Sequence, residues 1–327
     1  MKNMSKMLFF FMLMLSILIM ISTNNWFSMW MSLEINMIAF LPIMYEKNYL
    51  NSKNMIIYFL IQTMSSMIFI FSMIFMYKNY MMNMINMIML MSILMKMGVP
   101  PLHLWLPMIM ENMNWYNSFL LMTFQKIIPM MIMTYLMNMD LIIYIVLISA
   151  IISAIGGLNE TSLQKIMAYS SMNHSSWMIL SMKFENKLWI IYLIIYTLIM
   201  MMIIIIMNNY NIFYINQMNM NMNIMEKMFM MFNFMSLGGL PPFLGFLPKW
   251  LILQFMMNMK MYYLMFIMIM MSLIILYFYL QIINSSLMIN SNLNKWIFMK
   301  KLNIKYNYMI MFMNLTLPMM MMLMIFL

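Results

Sequence analysis

Polar residues interrupt this chain at bilayer-like intervals, and between them the side chains stay apolar for about 20 residues at a time. A helix rises about 1.5 Å per residue, so one such block crosses a hydrocarbon core of roughly 30 Å. The blocks predict about eleven helices, over 7–22, 26–44, 55–77, 82–112, 116–137, 140–158, 162–181, 188–207, 226–257, 261–284 and 306–327. Two of them, 82–112 and 226–257, are too long for a simple crossing. Gly98, Pro100 and Pro101 interrupt the first; Gly238, Gly239, Pro241 and Pro242 interrupt the second. The Asn-rich stretch at 208–223 and the segment 285–305 form the main polar connections. The expected fold class is therefore an all-α polytopic membrane protein, with 1–327 as a single transmembrane domain.

Composition agrees. The chain is 66% apolar and 7% charged, with a mean hydropathy of +0.89, whereas soluble domains carry about 25% charged residues. The first residues, MKNMSKMLFFFMLMLSILIM, have a charge followed by an apolar run but no small-residue cleavage site, so they read as a retained first helix. The 66 methionines, with scarce Ala, Gly, Val and no Arg, reflect an AT-rich genome that uses an extra AT-only Met codon, as in animal mitochondria. Structurally they are flexible core filler.

A net charge of +10 does not mark a nucleic-acid surface here, because the lysines are spread thinly at helix ends instead of being massed on one face. With eleven crossings, Lys2, Lys6, Lys47, Lys53, Lys165, Lys227, Lys295, Lys300, Lys301 and Lys305 fall on the side of the N-terminus. Only Lys78, Lys183, Lys187 and Lys260 fall opposite. The positive-inside rule then places the N-terminus on the matrix or cytoplasmic side and the C-terminus outside. With no cysteine there is neither a disulfide framework nor an iron–sulfur ligand. His103 and His174 lie too far apart for a local metal motif, so no redox cofactor is expected in this chain.

Four charges fit none of the loops. Glu34, Lys96, Lys126 and Lys249 fall inside predicted crossings. An ionised side chain at the bilayer centre costs at least about 2.5–3.5 kcal/mol, so such groups face a bundle interior or a hydrated path. Snorkelling accounts for one lysine near a helix end, and a buried ion pair accounts for two charges, but neither covers all four. Burial and a neighbouring carboxylate pull a lysine's protonation in opposite directions, so a poised lysine can exchange a proton when a nearby charge moves. His174 lies mid-crossing among Ser170, Ser171, Asn173, Ser175 and Ser176, a polar set suited to a hydrated relay. Unwound backbone at membrane depth is tolerated where it is buried in protein or lines a wet cavity. Breaks at corresponding places in two halves of a chain point to a transport path. KMGVPP (96–101) and GGLPPFLGFLPK (238–249) are such a pair, each with its lysine beside the break.

Together GGLPPFLGFLPKW, KMGVPPLHLW (96–105), TFQKIIP (123–129), MSLEIN (31–36) and GGLNETSLQKIMAYSSMNH (156–174) resemble the subunit 2 family of mitochondrial NADH:ubiquinone oxidoreductase, respiratory complex I, in its insect form. The likeness runs from the second helix to about residue 254. It implies an antiporter-like proton channel of two inverted repeats with two discontinuous helices. The repeats would cover about 26–137 and 140–284, followed by a C-terminal helix at about 306–327. It further implies that Glu34 and Lys96 form a switchable pair, that Lys126 is the central lysine, that Lys249 lies on the outward side and that His174 bridges them. FMN, iron–sulfur clusters and ubiquinone would belong to other subunits of the complex. The partners would be other membrane-arm subunits and bound phospholipids, and the location the mitochondrial inner membrane. Ser175 and Ser176, Glu160, Gln164, Met108 and Asn112 depart from the family pattern without removing a relay charge. A stand-alone cation/proton antiporter and a sister antiporter-like subunit of the same complex remain the alternatives.

Overall fold

The computed structural model describes residues 2–46, 49–76, 82–137, 141–185, 187–219 and 224–288. The expected helix at 306–327 lies outside them, as do Lys47, Lys78, Lys295, Lys300, Lys301 and Lys305 of the orientation pattern. The described residues form an all-helical membrane protein that divides into two compact units, Met1–Ile145 and Val146–Leu327.

The first unit holds α1 (Lys2–Ser22), α2 (Trp26–Met44), α3 (Tyr49–Met76), α4 (Met82–Met97), α5 (Trp105–Met110), α6 (Trp115–Met122) and α7 (Phe124–Thr134). Helix α7 packs against α1, α2 and α4, while α3 covers α2, α4 and α5. Phe40 of α2, Ile93 and Leu94 of α4, and Ile128 and Met130 of α7 are buried in the resulting core. Outward on α3, Met64, Met67, Phe71 and Ile74 are exposed apolar side chains, as expected where hydrocarbon replaces water.

Two apolar blocks of this unit each hold more than one helix. The block 82–112 ends its first helix at Met97, turns at Gly98 (φ 65°) and resumes at Trp105. The block 116–137 breaks at Thr123, an interruption the apolar pattern does not announce. The Thr123 hydroxyl donates to the Phe119 carbonyl at 2.7 Å, and the Lys126 amide takes a three-residue bond to Thr123 instead of a four-residue one. Pro129 lacks an amide for the Gln125 carbonyl, so the ladder is weak on both sides of Lys126.

The second unit begins within α8 (Leu141–Leu158) and continues through α9 (Leu163–Phe184), α10 (Leu188–Tyr210), α11 (Ile224–Gly238), α12 (Phe246–Asn258) and α13 (Tyr262–Met288). Helix α9 lies against α10 and α12, and α13 packs on α11, α12 and the short turn Ile215–Asn219. Although rich in serine, α9 is buried almost throughout. Its hydroxyls bond to their own helix: Ser170 to the Met167 carbonyl at 2.8 Å, Ser175 to Met172 at 2.6 Å and Ser176 to Asn173 at 2.7 Å. These hydroxyls are thus satisfied locally, which lowers the cost of burying a serine-rich helix.

Within the Asn-rich connection, α10 runs on to Tyr210 and stops at Asn211, whose left-handed backbone (φ 52°) suits asparagine as a helix terminator. The chain then pairs with the start of α9: Leu163 N–H donates to Phe213 O at 2.8 Å and Ile215 N–H to Thr161 O at 3.3 Å.

Among the described residues, six helical stretches are individually long and apolar enough to cross a membrane: Met4–Ser22 of α1, all of α2, α3, α8 and α10, and Tyr262–Asn284 of α13. The block 226–257 is divided, with α11 ending at Gly238 and α12 starting at Phe246.

Candidate functional site

In the first unit, Glu34 of α2 and Lys96 of α4 meet with Oε1 and Nζ 3.8 Å apart, the lysine side chain only 4% exposed and the carboxylate 18%. Lys96 sits in the last turn of α4, where the partial negative charge of the helix end favours a cation. The carbonyls at that early ending gain side-chain donors. Trp105 Nε1 donates to Met95 O at 3.1 Å, and Gln62 Nε2 donates to Lys96 O at 3.3 Å. The ammonium is therefore not needed to close the helix.

Lys126, buried on α7, follows Gln125, which joins three helices. Tyr58 of α3 donates its hydroxyl to Gln125 Oε1 at 3.1 Å, and Gln125 Nε2 donates to Asn36 Oδ1 of α2 at 3.1 Å. A small cavity of ≈ 10 Å³, room for about one water, is lined by Asn36, Tyr58, Gln62, Lys96, Gln125 and Pro129 among others. Sequence reading missed Asn36, Tyr58, Gln62 and Gln125. Three of them are amides inside apolar blocks, and that was the available signal.

The second unit is arranged differently. Lys249, in the first turn of α12, donates from Nζ to the Gly238 carbonyl at 2.8 Å, so here the ammonium itself caps the broken helix. Gly239 makes room for it. Its φ of 81° is strained for any L side chain, and a Cβ there would lie 2.9 Å from Lys249 Cδ and 3.0 Å from Nζ. Gly245, which sequence reading did not single out, brings the returning chain so close to the Ser236 carbonyl that a Cβ would collide with it. Pro241 and Pro242 lie in the turn between the two helices.

His174 of α9 is buried, with Nδ1 2.8 Å from the Tyr192 hydroxyl of α10 and its ring 4.8 Å from that of Tyr196. A second cavity of ≈ 10 Å³ is lined by His174, Tyr192, Tyr196, Ser236, Gly245 and Pro248 among others. The structure thus brings Glu34 and Lys96 together within the first unit. In the second unit it sets His174 and the α11–α12 break around one cavity.

Residues 23–275 match the family model described as NADH:quinone oxidoreductase/Mrp antiporter, TM. The chain is similar to the NADH-ubiquinone oxidoreductase chain 2 of Aedes aegypti, 43% identical over 310 residues that cover 91% of each chain. The Anopheles gambiae chain 2 is 40% identical over 315 residues, covering 93% of this chain and 92% of that one. Among solved structures, respiratory complex I from Thermus thermophilus with bound aureothin aligns with a TM-score of 0.80 at 16% identity, over 86% of this chain and 70% of the matched one. The Mrp complex from Dietzia sp. DQ12-45-1b aligns with a TM-score of 0.74 at 12% identity, over 89% of this chain and 60% of the other. At these identities the structural likeness speaks to the fold.

Proposed function

The chain belongs to the NADH-ubiquinone oxidoreductase chain 2 family, and we propose that it conducts protons in the membrane arm of respiratory complex I, without a redox centre of its own. One observation carries this reading. In each compact unit a buried lysine stands at a helix broken by glycine and proline, and a small cavity is lined by the lysine or by residues of the break.

The two units use the lysine differently. At 3.8 Å and an effective dielectric near 20, the Glu34–Lys96 attraction is about 4 kcal/mol. Removing each ion from water costs several kcal/mol, so the attraction alone does not offset the burial of both charges. A pair held at such a cost can be switched by a modest change in nearby charge. Lys126 then holds the central proton, and Lys249 with His174 passes it outward through the second unit. Oxidation of NADH occurs in other subunits of the complex, where FMN and iron–sulfur clusters deliver electrons to ubiquinone. Its energy reaches this chain as a displacement of charge at Glu34.

The same reading takes the breaks at 98–101 and 238–242 as two discontinuous membrane helices within eleven crossings, and 26–137 and 140–284 as inverted repeats. It places the chain in the mitochondrial inner membrane with its N-terminus on the matrix side, among sister antiporter-like subunits and bound phospholipids. Mild solubilisation of native membranes, a native gel stained for NADH dehydrogenase and mass spectrometry of the bands test it. The chain is expected only in the large active band. Migration alone or in a small oligomer would overturn the assignment in favour of a free-standing antiporter.

A further inference from the structure

We propose that Tyr192 is a proton-passing residue, carrying protons between the His174 imidazole and the cavity beside the α11–α12 break; this rests on the relay reading above. The simpler account is that a buried phenol and a buried imidazole merely satisfy each other's hydrogen-bonding needs. Two features go beyond that. First, the Tyr192 hydroxyl lies 2.8 Å from His174 Nδ1, and both residues line the same cavity, which has room for about one water. Second, residues at the break line that cavity as well. Ser236 and Leu237 come directly before Gly238, and Pro248 comes directly before Lys249, the two residues joined by the 2.8 Å bond. Four helices therefore converge on one small space: α9 with the imidazole, α10 with the phenol, and α11 and α12 with their ends at the break.

A phenol suits this position because its oxygen both donates and accepts, so it can relay a proton without keeping a charge. A proton arriving on a water in the cavity forms a new O–H bond at Tyr192 Oη. The hydroxyl proton already there leaves for Nδ1 of a neutral His174. The water and the phenol end neutral and the imidazole ends as imidazolium; the reverse sequence returns the proton. No electron moves and no co-reactant is needed. Phenylalanine at position 192 preserves the ring but deletes the hydroxyl that lies against His174 Nδ1.

The test uses the whole complex reconstituted into proteoliposomes, with proton ejection and NADH oxidation measured on the same preparation. Tyr192→Phe is expected to assemble on native gels, to oxidise NADH with an artificial acceptor as the parent does, and to eject at least several-fold fewer protons per electron. Tyr192→His restores a proton-bearing group and is expected to recover part of that ratio; it also serves as the test if the Phe variant fails to assemble. An assembled Tyr192→Phe complex with a normal ratio overturns the proposal, as does an assembled Tyr192→His complex that ejects no protons. Lys249→Met separates this failure from a wider one. If Lys249→Met lowers the ratio while Tyr192→Phe does not, only the role of Tyr192 falls. If neither lowers it, the relay reading falls too.

Discussion

Lys249 Nζ donates to the carbonyl oxygen of Gly238 at 2.8 Å, so a side chain of α12 closes the open end of α11. Lys96 holds the matching place beside the break after α4, but its ammonium turns to Glu34 while Trp105 and Gln62 donate to the carbonyls of Met95 and Lys96. One lysine is paired with an acid and the other with the backbone, and different consequences follow from each.

Replacing Lys249 by methionine keeps the length of the side chain and removes its charge. The freed Gly238 carbonyl is left without its donor, at a cost of about 1–3 kcal/mol. Proton ejection per electron is expected to fall several-fold, with NADH oxidation by an artificial acceptor preserved. Lys249→Arg separates charge from proton release, because arginine stays protonated under all working conditions. An assembled Lys249→Arg complex is expected to pump as poorly as Lys249→Met, and normal pumping would show that position 249 needs only a fixed charge.

Gly239→Ala tests the space around the same ammonium. Left-handed backbone costs an ordinary residue roughly 1–2 kcal/mol, and the new Cβ would push against Lys249 Cδ and Nζ, 2.9 and 3.0 Å away. The variant is expected to lower both the thermal stability of the complex on native gels and the proton ratio. Loss of stability with an unchanged ratio would mean that the position of the lysine head is not critical.

For the Glu34–Lys96 pair the expectation concerns coupling. Glu34→Gln strands a lysine that is only 4% exposed, and breaking a buried pair from one side typically costs about 3–5 kcal/mol. The double variant Glu34→Gln/Lys96→Met is expected to be more stable than Glu34→Gln alone, while pumping stays low in both. Purely additive losses of stability in a double-mutant cycle would remove the claim that the two charges depend on each other.

Gln125→Leu has nearly the same volume and deletes the link between Tyr58 and Asn36. Two hydrogen bonds are lost and two buried polar groups keep no partner from residue 125, an expected cost of about 2 kcal/mol or more. Thermal scanning of the assembled complex reads the loss directly. An unchanged transition would mean that the amide bridge adds no stability.

The sequence alone determined the helical membrane fold, because a hydrocarbon solvent leaves the backbone few ways to satisfy its hydrogen bonds, and apolar block length announces the choice. It also determined which charges are anomalous: Glu34, Lys96, Lys126 and Lys249 stand out against a chain that is 7% charged. Glycine and proline marked the breaks near 98 and 238, since each residue type acts on its own backbone.

What only the tertiary structure decided is the partner of each anomaly. Thr123 looks innocuous in the sequence, yet a helix divides there. Gln125 reaches Tyr58 and Asn36 across 67 and 89 residues of sequence. Lys249 and Lys96, alike in their motifs, end on a carbonyl and a carboxylate. Hydrogen bonds between helices depend on how those helices are rotated and packed, and apolar side chains that nearly all favour burial leave little trace of that choice in the order of residues.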